Sequence, residues 1–446
     1  MENNITSALI IDTTSESPRP IAKAERIQTI DLVRGFALLG ILMMNIPGFG
    51  ILDSTYMSIP KDTTTYDYYT FAFIGVAFEG TMRGLFSMLF GAGMVLFMTN
   101  KKDNESGTTV AEYYYRRLLW LVFFGVFNAY ILLWRGDILF FYGLAGMLLF
   151  PFRKFKPSWL IIMAIVCMSV NIVRTGIWYN ELRGNRAGYL EAVKLEKAKK
   201  KPSDKQMEAK GAWEGFEKSF KVDKKKDEKT LKERRGNYAS VFMNLLPRNS
   251  NGEAWGTYFG TWDWLSLMFI GMALLSWGFF SNKLPTSTYV ITLLIGYGLG
   301  LPISWFYSAT QSDWLVNTAK YVDFYRVDPF ELYDIRRALL ALGHASLLIL
   351  IYRSGFVPWL MRALTAVGQM AFTNYLMQSI ICSLIFHGFG FGYFGKLSYY
   401  QLYYIVAAIW IFQLIISPIW LNYFRFGPFE WLWRSLTYWK RQPMVR

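Results

Sequence analysis

Arg135 and Asp137 flank a single glycine in WRGDIL, between two apolar runs that together extend from Arg116 to Phe152. A carboxylate at such a chain reversal can take a proton, and an arginine beside it can stabilise negative charge as it develops on a reacting oxygen. Charge at or inside a bilayer is costly, so each such residue is a candidate for function. Glu79 and Arg83 are four apart, on one face of a helix, and are candidates on the same ground. The chain has two histidines, His344 and His387. Of these, His387, in FHGFGFG at the end of an apolar run, is the better placed for acid–base work, on the same side as Glu79, Arg83 and Asp137. Structural ion pairs that fix helix ends account for the four charged residues equally well. A lone histidine in an apolar run is more often a hydrogen-bonded core residue.

Polar residues inside apolar runs form a second set. Gln369, Thr373, Asn374 and Gln378 recur at helical spacing. Such a stripe faces a cavity or binds helices together. Asn45, in the outer half of the first apolar run, either orients a substrate or bonds a neighbouring helix. Arg34, at the inner end of that run, is a candidate contact for an anionic substrate, or a topology signal. The sequence has no Walker loop, no HExxH, no CxxC and no GxSxG, which removes support for ATP hydrolysis, zinc chemistry and a serine elbow. Neither a metal site nor a covalently bound cofactor is expected. Cys167 and Cys382 both lie in apolar runs and read as small core residues.

The elements that must position these residues are membrane spans. Hydrophobic residues make up 53% of the 446 and charged ones 18%, against roughly 25% charged in soluble domains. The reading is an all-α, polytopic helix bundle of about ten spans, with both termini cytoplasmic and the lipid bilayer as its solvent. Residues 1–30 are expected to be a disordered tail, 31–180 a first bundle of about five spans, and 256–424 a second of about five. Between them, 181–255 is a charged extracytoplasmic insert with 19 Lys and Arg against 12 Asp and Glu. It supplies +7 of the net charge of +15. Residues 425–446 alternate aromatic and basic residues, as an interfacial helix does. No nucleic-acid module accompanies the positive charge.

Several stretches resemble one family. IDLVRGFALLGILMMNI, LFSMLFGAG, RRLL continuing to WRGDILFFYGLAG, GQMAFTNYLMQS and FRFGPFEWLWRSLTYW resemble the YeiB family of bacterial membrane proteins, whose carboxyl-terminal half is a domain of unknown function, DUF418. That family is similar to transmembrane acyltransferases. The resemblance implies a protein of the bacterial inner membrane with acyl-CoA as co-substrate and a donor tunnel through the bundle. It also implies a glycan or lipid acceptor on the far side and a site where Arg34, Asn45, Arg135 and Asp137 matter. The acetylases of that group use a histidine in or after the first span; this chain has Asn45 there and no histidine before His344. That moves the base to Asp137 or His387. A transporter lined by Glu79, Arg83 and the polar stripe is the alternative, and a non-catalytic envelope scaffold is a third reading. A homo-oligomer remains open.

Overall fold

The computed structural model describes residues 27–99 and 109–446; the expected tail up to residue 26 lies outside the described residues. Seventeen α-helices follow one another within them. The first six are α1 (Gln28–Gly50), α2 (Asp53–Ser58), α3 (Tyr66–Ala77), α4 (Thr81–Thr99), α5 (Val110–Tyr130) and α6 (Leu139–Leu149). Next come α7 (Pro157–Lys197), α8 (Asp204–Phe220), α9 (Lys224–Arg234), α10 (Tyr238–Ser276), α11 (Thr286–Val316) and α12 (Thr318–Phe324). The chain closes with α13 (Tyr333–Ser354), α14 (Pro358–Gln369), α15 (Ala371–Phe386), α16 (Leu402–Tyr423) and α17 (Pro428–Tyr438). The fold is all-α, and the β-pairing among the described residues is one isolated bridge, Phe424 to Val445.

Among the described residues, seven units are long and apolar enough to cross a bilayer: α1, α3 with α4, α7, α10, α11, α13 and α16. Two shorter apolar helices, Leu139–Phe152 and Ala371–Phe386, accompany them. The expected total of about ten requires α5, α6 and the α14–α15 pair to cross as well. Ile165 and Val173 on α7, Leu294 and Leu299 on α11, and Ile411 and Ile415 on α16 are exposed. Apolar side chains turned outward on three long helices are what lipid, not water, solvates.

Close backbone contact sets the two tightest crossings. A Cβ at Gly91 of α4 would collide with the Met268 carbonyl of α10, and one at Gly271 of α10 with the Met88 carbonyl of α4. The crossing is reciprocal, so a side chain at either position must push the helices apart. Gly35 and Gly368 play the same parts between α1 and α14. Small residues allow such approach where lipid supplies no hydrophobic drive between helices. Gly271→Val is therefore expected to destabilise the fold by about 1–3 kcal/mol, the usual cost of overpacking. Thermal unfolding of the detergent-solubilised protein checks this; an unchanged midpoint would mean that the crossing yields.

Residues 181–255 are helical and are continuous with two spans. Helix α7 has 41 residues, about 60 Å of rise, which is twice the hydrocarbon thickness. Its last turns therefore stand clear of the bilayer, as do the first turns of α10. Helix α8 starts with a capping box, Ser203 with Gln206, and folds back on α7 by burying Trp213 with Tyr179, Leu182 and Tyr321. Arg186 lies 4.8 Å above the Trp213 ring while pairing with Asp323 at 2.7 Å. This small apolar cluster orders a segment whose composition alone is mostly charge. Helix α9 then comes to lie against the end of α1 and the segment after α15, where Gly388 donates its backbone N–H to the Arg234 carbonyl at 3.0 Å.

Candidate functional site

Between α5 and α6 the chain reverses through residues 131–138. Leu133 takes a left-handed conformation, φ 60°, and Trp134 stacks on Phe49 of α1 with ring centroids 4.1 Å apart. The turn sends its two charged side chains in different directions. Asp137 is buried: its Oδ2 accepts the Phe140 N–H at 2.8 Å and so caps α6. Its Oδ1 accepts from the Asn128 amide at 2.7 Å and from the Tyr375 hydroxyl of α15 at 3.4 Å. No cation among the described residues stands within ion-pair distance of this carboxyl.

Arg135 points elsewhere, which corrects the expectation that the two residues of the turn form a pair. Its guanidinium donates to Asp53 Oδ1 at 2.8 Å, and Arg248 of α10 reaches Asp53 Oδ2 at 2.9 Å. Burial alone would raise the Asp53 pKa, but the two guanidinia outweigh it and hold the carboxyl below the usual carboxylate range.

His387 closes the C-terminal end of α15 and is fully buried. Neither ring nitrogen makes a hydrogen bond of normal geometry, although the Leu133 carbonyl is alongside. Burial, and then the nearby Arg234 cation, push its pKa down to about 2, so the imidazole is neutral. Tyr375, beside Asp137, and His387 are separated by twelve residues, about 18 Å of helical rise. The two residues expected to serve as base thus meet different residues of the same turn and share no hydrogen-bond partner. His344 is a satisfied core histidine: its Nε2 faces the Ala77 carbonyl at 2.9 Å and its Nδ1 the Tyr297 hydroxyl at 2.6 Å.

Glu79 and Arg83 do not pair with each other, as their spacing suggested, because partners from other helices take both. Glu79 is bound by the buried Arg336 of α13. Arg83 reaches Asp263 of α10 at 3.3 Å. The same Asp263 is bound by Arg337, which also pairs with Asp334 at 2.6 Å. Arg336 and Arg337 lie 4.1 Å over the rings of Tyr307 and Tyr333 respectively. Three arginines meet three carboxylates, so the network is electrically balanced and joins α4, α10 and α13 to the end of α3.

The polar stripe is taken up between helices. Asn374 donates to the Val367 carbonyl at 3.1 Å and to Ser417 of α16 at 3.0 Å; Gln378 donates to Gln413 at 3.0 Å. Both side chains bond α15 to its neighbours and do not line a path. Asn45 is half-buried, and its amide makes no hydrogen bond among the described residues. Arg34 pairs with Asp31 at 2.8 Å near Arg117, whose guanidinium lies 4.1 Å above the Trp433 ring. These two arginines mark the end of the bundle opposite Arg135.

Several residues of these sites carried little signal in the sequence. Asp53, Arg248 and Arg234 read as loop charges, and Tyr375 as one of 28 tyrosines. Arg336 and Arg337 had a usable one: an arginine pair placed directly before an apolar run on the side that should be poor in bases.

The fold and the buried charges together define a helical membrane protein with an ionic network in its interior. A family model described as "Protein of unknown function (DUF418)" matches residues 274–440. The protein YeiB of Escherichia coli (strain K12) is 30% identical over 434 residues, covering 93% of this chain and 96% of its own. YxaH of Bacillus subtilis (strain 168) is 29% identical over 445 residues, covering 96% and 98%. A 39.9 kDa protein of Bacillus acidopullulyticus is 26% identical over 427 residues. The chain belongs to the YeiB family, the family that carries DUF418. No solved structure matches it.

Proposed function

We propose that the protein is an acyltransferase of the bacterial inner membrane that moves an acyl group from cytoplasmic acyl-CoA to a hydroxyl of an extracytoplasmic glycan or lipid. The observation that carries this reading is Asp137, a buried carboxyl without a cation, at the turn of the WRGDILFFYGLAG stretch through which the chain resembles its family. In the step proposed, the acceptor hydroxyl oxygen attacks the thioester carbonyl carbon and its proton passes to the Asp137 carboxylate. The carbon–sulfur bond then breaks, CoA leaves as a thiolate, and the thiolate takes that proton. The products are an acyl ester and CoA. The Tyr375 hydroxyl, which donates to Asp137 Oδ1 at 3.4 Å, is freed to donate to the developing oxyanion as that carboxylate takes the acceptor's proton. Arg34 and Arg117, at the other end of the bundle, are the cations available to the CoA phosphates. The transporter reading loses its lining, since Glu79, Arg83, Asn374 and Gln378 are all engaged with other helices.

Acetyl-CoA is expected to raise the unfolding midpoint of the purified protein. A ligand bound only by the native state stabilises by about 2.7 kcal/mol at a hundredfold excess over its dissociation constant. The shift should vanish in Arg34→Gln and be matched by labelled acetyl transfer to envelope glycans or lipids. Absence of a shift with acetyl-, succinyl- and longer-chain acyl-CoA would remove the enzyme reading.

A further inference from the structure

The charged insert and the hairpin turn line a half-open chamber of about 610 Å³, within the range of small-molecule sites. Its floor is the end of α1 with Asp53, its walls include Arg135 and Arg248, and its roof is the stretch 218–227 between and around α8 and α9. Eight basic side chains line it, three arginines and five lysines, against the three carboxylates Asp53, Asp223 and Asp227. The floor is itself unbalanced, because Arg135 and Arg248 share one partner, Asp53.

Arg234 distinguishes this chamber from a merely basic surface. It lines the chamber and is 2% exposed, yet no carboxylate among the described residues pairs with it. Its Nε is buried without a partner, one Nη donates weakly to the Gly48 carbonyl at 3.4 Å, and the guanidinium lies 4.6 Å over the Phe394 ring. Burial, reinforced by Arg135 and Arg248, pushes its pKa down to about 9, so it still carries its proton at neutral pH. A buried guanidinium with an unused donor, facing a cavity with five more positive than negative groups, is arranged for a multiply charged anion. Arginine's fixed fork suits phosphate oxygens, and flexible lysines add charge around it.

We infer that this chamber binds a phosphate-bearing ligand, a phosphorylated sugar or glycerol headgroup, with Arg234 as its anchor and the lysine-rich 218–226 stretch closing over it. Binding itself stands without acyl transfer; only the further step, that this ligand is the acceptor, rests on the function proposed above. Lys221, Lys224, Lys225 and Lys226 are exposed, so the roof meets the ligand without needing to be unpacked. The insert's excess of lysine then has a use that topology signalling does not supply.

The test is binding to the full chain in nanodiscs without any acyl-CoA, so that its outcome is independent of catalysis. In phosphatidylcholine discs, pyrophosphate and glycerol 3-phosphate are titrated by calorimetry; in a second arm, phosphatidylglycerol replaces part of the lipid and the unfolding midpoint is read. Saturable binding of the soluble phosphates, weakened at least tenfold in Arg234→Gln and unchanged in Lys205→Gln on the exposed face of α8, supports a soluble phosphorylated ligand. A midpoint rise confined to phosphatidylglycerol discs and lost in Arg234→Gln supports a lipid headgroup. Should Arg234→Gln fail to fold, Lys221→Gln/Lys225→Gln, which changes exposed positions only, is expected to weaken binding several-fold. No binding in either arm, or binding indifferent to both variants, overturns the inference.

Discussion

Arg337→Met should cost about 3–5 kcal/mol of stability, the usual loss when one partner of a buried ion pair is removed. Arg337 is fully buried, binds Asp263, and pairs with Asp334 at 2.6 Å. Methionine fills similar volume over the Tyr333 ring but leaves Asp334 with one neutral donor, the Asn171 amide at 2.9 Å. Asp263 keeps Arg83 at 3.3 Å. Against the roughly 5–15 kcal/mol by which folded proteins are stable, this is a large share, and the variant should be recovered in low yield with a strongly lowered unfolding midpoint. Removing charge from both sides separates pairing from volume: Arg336→Leu with Glu79→Leu should be less damaging than Arg336→Leu alone, because no unpaired carboxylate remains. A midpoint for Arg337→Met within a degree or two of the unsubstituted protein would mean that water reaches these carboxylates and that the network is a lined path after all.

How much of this was readable beforehand depends on the range of the interaction. Composition and apolar run length are local, and they pointed to an all-helical membrane bundle. Boundaries failed where charge sits inside a helix. Arg336 and Arg337 lie inside α13, which begins at Tyr333, because they are neutralised by Glu79 and Asp263 from other parts of the chain and by Asp334 one turn earlier in the same helix. Similarly, Glu79 and Arg83 at helical spacing suggested each other, and Arg135 with Asp137 did the same across one glycine. Each took a distant partner, or in the case of Asp137 none with charge. Spacing along a helix places side chains on a face, but which helix meets that face depends on crossings such as Gly91 with Gly271. The ambiguity between cavity and helix contact for Asn374 and Gln378 had the same origin: only the position of α16, with Gln413 and Ser417, resolves it. Arg234 was legible as one lysine-rich segment's arginine among others; that it is buried depends on α9 folding back over the hairpin turn.

Asp137→Asn should lower acyl transfer by 10²- to 10⁴-fold, the usual contribution of a positioned general base, while leaving the fold and the acetyl-CoA shift intact. Asparagine is close to aspartate in shape and is as good a residue for capping a helix start. Its amide oxygen can still accept the Phe140 N–H that Asp137 accepts at 2.8 Å, so α6 keeps its first turn, and its NH2, in the place of Oδ1, is accepted once Asn128 turns its own partnerless amide oxygen toward it. What asparagine cannot do is take a proton from the acceptor hydroxyl. Asp137→Ala is the structural counterpart. It strands the Asn128 amide, now held at 2.7 Å, and leaves α6 uncapped, so it should also cost about 1–3 kcal/mol of stability. The two variants divide the roles of one side chain. Equal stability with lost transfer in Asp137→Asn identifies a base; full transfer in Asp137→Asn with lost stability in Asp137→Ala identifies a helix cap only. In the second case the base must be sought at His387, whose neutral ring lies beside Arg234 and the Leu133 carbonyl, at the other end of the same hairpin turn.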